Sequence, residues 1–300
     1  MSAISPRQFA FFRIALGLYL AIHFAQLLPY GAELFSNRGI LSDARLNLTF
    51  GLFPNPLALW DSPIAITLFL SALLLASVAL AAGICRRSAA IFLWFGWACL
   101  FNRNNLISNP SLPYVGLLLL LTALVPLGEG WTLAKPRTDW RFPASVYWVA
   151  WILLATGYSY SGWLKLGSPS WIDGSALFHI LRNPLARPGT VRDFLLSMPE
   201  IRLQFATWFA LAVEILFLPL SFCLTTRFCA WLAMSLLQLC ILCFVNFADL
   251  TFGMLLIHLF VFDPRWLALL RPIFRGRAKF DLPHLGRPRS PAMTFLKYGR

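Results

Sequence analysis

Long apolar runs, broken at intervals by short polar clusters, set the pattern of this chain. A bilayer core of about 30 Å needs roughly 20 apolar residues per crossing helix, because lipid offers backbone N–H and C=O groups no partner. The pattern predicts eight spans, at about 9–29, 62–84, 88–107, 112–128, 142–163, 203–222, 226–246 and 250–270. The third is the least regular, since Asn102, Arg103, Asn104 and Asn105 occupy its end. The expected fold is all-α: a polytopic integral membrane helix bundle over residues 1–271, with no large soluble domain, followed by a basic Pro/Arg-rich tail at 272–300. The first run begins like a signal peptide at Arg7, but Leu28-Pro29-Tyr30-Gly31 gives no small-x-small cleavage pair, so it reads as an uncleaved anchor.

Composition narrows the class further. Apolar residues make up 59% of the 300 and charged residues 12%, against about 45–50% and 25% in an average soluble protein. That is too little charge to coat a soluble surface, and it excludes soluble globular, disordered and fibrous classes. The net charge of +13 is spread between the apolar runs and concentrated in the tail, which suits anionic lipid headgroups and argues against nucleic acid. Lys and Arg also set orientation, since short loops rich in them stay cytoplasmic. With the N-terminus inside, 16 basic residues fall inside and 8 outside, and the turn at Arg86-Arg87 is the most diagnostic. Both termini are therefore expected in the cytoplasm, in a bacterial inner membrane. The six cysteines lie in or beside apolar runs, which argues against a secreted disulfide framework and for small buried apolar side chains. No internal repeat is visible.

Two connections, 30–61 and 164–202, exceed simple turns, and the second carries short amphipathic stretches at 175–183 and 190–200. Both lie outside in this topology, where they lie on the membrane surface or cap a cavity.

Polar residues at membrane depth are costly and face partners or cavities. Tyr19, His23, Gln26 and Tyr30 share one helix face on the first span. Tyr147, Trp151, Tyr158, Ser161 and Lys165 share one on the fifth, while Gln238 lies on the seventh and Thr251 and His258 on the eighth. Most of these groups converge on the outer half of the bundle if the topology holds. Their ordinary role is interhelical hydrogen bonding, and no HxxH or HxxxH pair makes a metal site of either histidine. Glu214 needs a partner at mid-membrane, for which Arg13 is nearest by depth, or a proton. Cys240 and Cys243 form a CxxC, but near the C-terminal half of their helix, where the dipole disfavours a reactive thiolate. Lys165 stands where an apolar helix end meets a loop of aromatic and small residues. Desolvation there favours the free amine, a base near neutral pH, whereas a lysine snorkelling to headgroups is the simpler alternative.

Around this lysine the sequence resembles the horizontally transferred transmembrane (HTTM) family, which shares its membrane bundle with vitamin K-dependent gamma-glutamyl carboxylase. The resembling residues are Tyr160, Ser161, Gly162, Lys165, Leu166, Trp171, Asp173 and Gly174. Phe12-Arg13-Ile14-Ala15-Leu16-Gly17, Gly39-Ile40-Leu41, Asn102-Arg103-Asn104 and Val125-Pro126-Leu127-Gly128 extend it over about residues 9–266. The resemblance implies a polytopic bundle with a quinone or hydroquinone as its cofactor and, as in the carboxylase branch, Lys165 as base on the hydroquinone. The chain departs from the carboxylase in lacking the strand-rich soluble domain, and in Gln238 where many relatives carry histidine. The reading reached is a multi-pass membrane protein that binds a quinone-like or lipid-like molecule with Lys165 as base. Tyr19, His23, Gln26, Arg103, Tyr158, Ser161, Trp171, Asp173, Gln238 and His258 are its candidate pocket residues. The alternative is a non-enzymatic membrane accessory protein for peptide maturation or export, or for a partner oxidoreductase. A transporter is disfavoured for want of inverted repeats.

Overall fold

A computed structural model describes residues 4–132 and 136–267. The basic tail expected at 272–300 lies outside the described residues. Within them the chain is helical, and the only strand-like feature is an isolated bridge between Ala186 and Val245. Twelve α-helices follow in order: α1 Pro6–Leu27, α2 Gly31–Phe35, α3 Pro63–Ala82, α4 Arg86–Arg103, α5 Leu112–Leu124, α6 Ala144–Lys165, α7 Pro169–Ile172, α8 Ala176–Arg182, α9 Thr190–Leu196, α10 Glu200–Leu220, α11 Leu224–Phe244 and α12 Ala248–Phe260.

Local chemistry sets their ends. Ser5 caps α1 by accepting from the Gln8 N–H, and Ser62 caps α3 through Ala65, each with proline at the first helical position. Gly83 ends α3 in the left-handed region at φ 73°, which glycine adopts at no steric cost. Among the described residues four helical stretches are long and apolar enough to cross a membrane: Pro6–Phe35, Pro63–Ala82, Glu200–Leu220 and Leu224–Phe244. They turn large apolar side chains outward, such as Leu68 (65% exposed) and Phe209 (66%), an arrangement suited to a membrane protein. α5 and α12 have 13 residues each, about 20 Å of helix, which is shorter than the spans expected at 112–128 and 250–270. α5 stops before Pro126, and α12 stops before Asp263 and Pro264, where the backbone turns.

The eight longest helices alternate in direction. At one end the start of α1 meets the finish of α12 through Phe12 and Phe260. The finish of α3 and the start of α4 lie beside it, as do the finish of α10 and the starts of α6 and α11, where Arg227 stacks on Trp148 and Trp151, and Trp151 on Phe217. A buried ion cluster ties this end together. Glu129 Oε1 lies 3.3 Å from Arg13 Nε and 3.0 Å from Arg86 Nε. Arg13 also donates to the carbonyls of Leu80 and Ala81, and Arg86 to those of Thr122, Val125 and Pro126. The two guanidinium groups thus satisfy the orphan carbonyls at the ends of α3 and α5. This overturns the pairing of Arg13 with Glu214: the partner of Arg13 sits in the α5–α6 connection.

α6 and α10 approach closely because Gly162 has no side chain; a Cβ there would meet the backbone nitrogen of Ile215 at 2.8 Å. Ser159 completes the contact by hydrogen-bonding the carbonyls of Glu214 and Ile215.

Segment 36–62 is docked on the end of α4. Asn47 and Asn55 donate to the carbonyls of Asn102 and Cys99, Asn102 returns a bond to the Thr49 carbonyl, and Asn104 donates to Leu34. The polar run that weakened the third span is therefore its C-terminal cap. Of the six cysteines only Cys99 is buried; Cys85 and Cys223, in the turns before α4 and α11, and Cys229, Cys240 and Cys243, on the outward side of α11, are exposed and free, contrary to the buried role expected.

Candidate functional site

The residues singled out from the sequence do not converge; they fall into separate clusters. The first surrounds Asp249, in the opening turn of α12. Tyr19 donates its hydroxyl to Asp249 Oδ1 at 2.9 Å, His23 Nδ1 lies 2.8 Å from the same oxygen, and Asn109 Nδ2 donates to Oδ2 at 2.8 Å. One helical turn separates Tyr19 from His23, so both reach one carboxylate from α1. Asn109 is fixed in turn by accepting from the Ser111 N–H and hydroxyl.

A cavity of about 320 Å³ opens beside this cluster, within the range of small-molecule sites. Leu27, Leu34, Phe35, Trp97, Leu100 and Leu112 supply apolar walls, and His23, Gln26, Asn109 and Asp249 a polar side. The site is reachable, since the side chains of His23 and Asp249 are 17% and 28% exposed. Tyr30 is exposed and apart from it, because the chain leaves α1 for a 3₁₀ turn at Leu28–Tyr30.

Lys165 closes α6 in a different place. Its Nζ lies 2.5 Å from Glu214 Oε1, also bonds Oε2, and stands 4.6 Å above the Trp171 ring. Ser161 reaches Glu214 Oε2 at 3.4 Å. The lysine side chain is 25% exposed and the carboxylate 8%. Glu214 thus finds its cation one helix away. Asp173 lies beyond, exposed, with the hydroxyl and N–H of Ser175 holding its carboxyl below the usual range.

A third cluster is interior apart from the half-buried Ser235. Tyr158 Oη meets His258 Nε2 at 2.8 Å and accepts from Gln238 Nε2 at 3.2 Å, while Ser235 meets His258 Nδ1 at 3.1 Å. Both imidazole nitrogens are occupied, which suits a tie between α6, α11 and α12 rather than a reactive histidine. Thr251 is buried nearby on α12 with no hydrogen-bond partner for its hydroxyl among the described residues. Arg103 is also committed to structure: it donates to the Leu41 carbonyl at 2.8 Å and to Asp61 at 3.3 Å, pinning segment 36–62.

No group of three or more His, Cys, Asp or Glu side chains suited to a metal ion occurs among the described residues. Asp249, Asn109 and Glu129 were missed in the sequence. The first two lie at the mouth of a short helix and in a loop, where no periodicity marks them. A carboxylate within three residues of the start of an apolar run was the available signal for Asp249. No family model, no curated protein and no solved structure matches this chain.

Proposed function

We propose that this chain is a multi-pass membrane protein whose eight alternating helices cross an inner membrane with both termini cytoplasmic, and that it binds a quinone-like or lipid-like molecule in the cavity beside His23 and Asp249. The observation that carries the reading is the shape of that cavity: apolar walls on most sides and hydrogen-bonding groups gathered on one. Such a lining suits an amphiphile with a polar end and an apolar body. The excess of basic residues on the side of Arg86 and Arg87 supports the orientation, and the eightfold pattern of apolar runs supports the crossings. Native mass spectrometry of protein released from membranes in mild detergent tests the binding. An amphiphile held in about equal number to the protein, and lost from Leu27→Trp, is expected; identical spectra for the two proteins contradict it.

A second reading rests on Lys165, whose amine is held between Glu214 and the Trp171 ring within a motif resembling the HTTM family's lysine segment. In it Lys165 acts as base after passing its proton to Glu214. Acylation by a membrane-permeable reagent at pH 7 separates the two roles. Faster reaction than at Lys297 supports the base, and slower reaction supports a fixed ion pair.

A further inference from the structure

We propose that His23 and Asp249 form a general-base dyad that takes the proton from a weakly acidic hydroxyl, phenolic or enolic, carried by an apolar molecule in the cavity. This rests on the binding reading above and adds the chemistry of the same site.

The tautomer follows from the hydrogen-bond network. The Tyr19 hydroxyl and the Asn109 amide both donate to Asp249, which marks it as an acceptor, so His23 Nδ1 must carry a proton to bond Oδ1. A neutral imidazole protonated on Nδ1 has its lone pair on Nε2. Nε2 has no partner among the described residues, and the ring lines the cavity. The ring is also held in place: Trp97 lies 4.9 Å from it and Phe24 5.5 Å, centroid to centroid. A base that is oriented, backed by a carboxylate and open to an apolar space is the arrangement that proton abstraction requires. A structural histidine in this chain looks different, since His258 has both nitrogens engaged.

The step balances without a further reactant. The O–H bond breaks, its electron pair stays on oxygen, and the proton forms a new bond to Nε2. The imidazolium stays hydrogen-bonded to Asp249, and the oxyanion faces it. Gln26 and Ser108 also line the cavity and make no side-chain hydrogen bond among the described residues, so their donors are available to a ligand oxyanion there. Apolar walls would otherwise disfavour the anion, so the ligand's hydroxyl must already be more acidic than an alcohol's. That restricts the class to phenols and enols. Among the described residues the dyad faces no cation other than the one it forms: Tyr19, Asn109 and Asp249 are the polar groups around His23 on the packed helices and loop.

The probe is 2-hexyl-4-nitrophenol, whose phenolate absorbs visible light and whose phenol does not. It is added to the purified full chain in detergent at pH 7, with empty micelles as reference. Equilibrium dialysis gives the amount bound and absorbance the ionised fraction. The wild type is expected to bind the probe and to hold it ionised above the micelle value. His23→Gln should still bind it but lower the ionisation constant of the bound probe by roughly tenfold or more. Asp249→Asn should give a smaller fall, and Arg137→Gln, at an exposed ion pair away from the cavity, none. A bound probe that stays neutral in the wild type overturns the dyad, and that comparison needs no variant. Equal ionisation in wild type and His23→Gln overturns it as well. Uptake no greater than by Leu27→Trp overturns the binding reading instead, and the dyad with it.

Discussion

His23 and Asp249 lie 226 residues apart in the sequence and 2.8 Å apart in the fold, Nδ1 on Oδ1. That contact joins the first long helix to the last, and it draws Tyr19 and Asn109 onto the same carboxylate. Asp249→Ala should leave three donors without their acceptor. Because the site is partly open to water, the loss is set at about 1–3 kcal/mol, read as a lower melting temperature in detergent; Asp249→Asn should cost less.

The cluster of Arg13, Glu129 and Arg86 should be the most sensitive charge network in the chain. All three side chains are at most 1% exposed, so Glu129→Gln leaves two buried cations without their counter-ion. A loss of about 3–5 kcal/mol is expected. The identity of the partners is tested by double replacement. Glu129→Gln should be strongly non-additive with Arg13→Gln, whereas Glu214→Gln should be additive with it, since those residues do not touch. Coupling of Arg13 to Glu214 instead would contradict the assignment.

Lys165 and Glu214 should couple to each other. In a cycle of Lys165→Met and Glu214→Gln, an interaction energy on the order of 1–3 kcal/mol is expected from their contact, lowered by the lysine's partial exposure. Lys165→Arg keeps the charge and should retain most of the stability.

Tyr158→Phe removes the group shared by His258 and Gln238. Two interior donors or acceptors then lack a partner, and a cost of about 1–3 kcal/mol is expected. Binding of an amphiphile in the cavity beside His23 should not change, which separates the interior tie from the binding site.

Eight crossings require that the α3–α4 turn and the α6–α7 turn lie on opposite sides of the membrane. Single cysteines placed at Ser88 and Ser168 in a cysteine-free background should therefore label from opposite faces. Labelling from one face would remove a crossing between them.

The helices were legible because apolar runs bounded by Ser-Pro and by Gly, Pro or Asn state both their period and their ends. α1, α3, α10 and α11 begin and finish within about three residues of where the pattern placed them. The polar face of Tyr19 and His23 was also legible, since spacing on one helix is a local property. What they face was not. Asn109 lies 86 residues beyond His23 and Asp249 226 residues beyond it, and no local rule links position 23 to either. The same limit explains Arg13. Depth along an apolar run favoured Glu214, but Arg13 lies at the end of the bundle where the finish of α5 turns back, and Glu129 in that turn comes within 3.3 Å of it. Lys165 was noticed for its setting, yet its carboxylate partner came from a helix 49 residues on. The cysteines misled because an apolar run shows that a helix is buried in something, and lipid satisfies that as well as protein.

Photoaffinity labelling with an azidoquinone in native membranes, followed by peptide mapping, locates the bound molecule. Label is expected on the end of α1 around His23–Leu27, on Leu34 and Phe35, and on residues 100–112, and it should fall in Leu27→Trp while persisting in Lys165→Arg. Label confined to the α6–α7 region around Lys165, or spread evenly over outward-facing residues such as Leu68 and Phe209, would contradict a binding site beside His23 and Asp249.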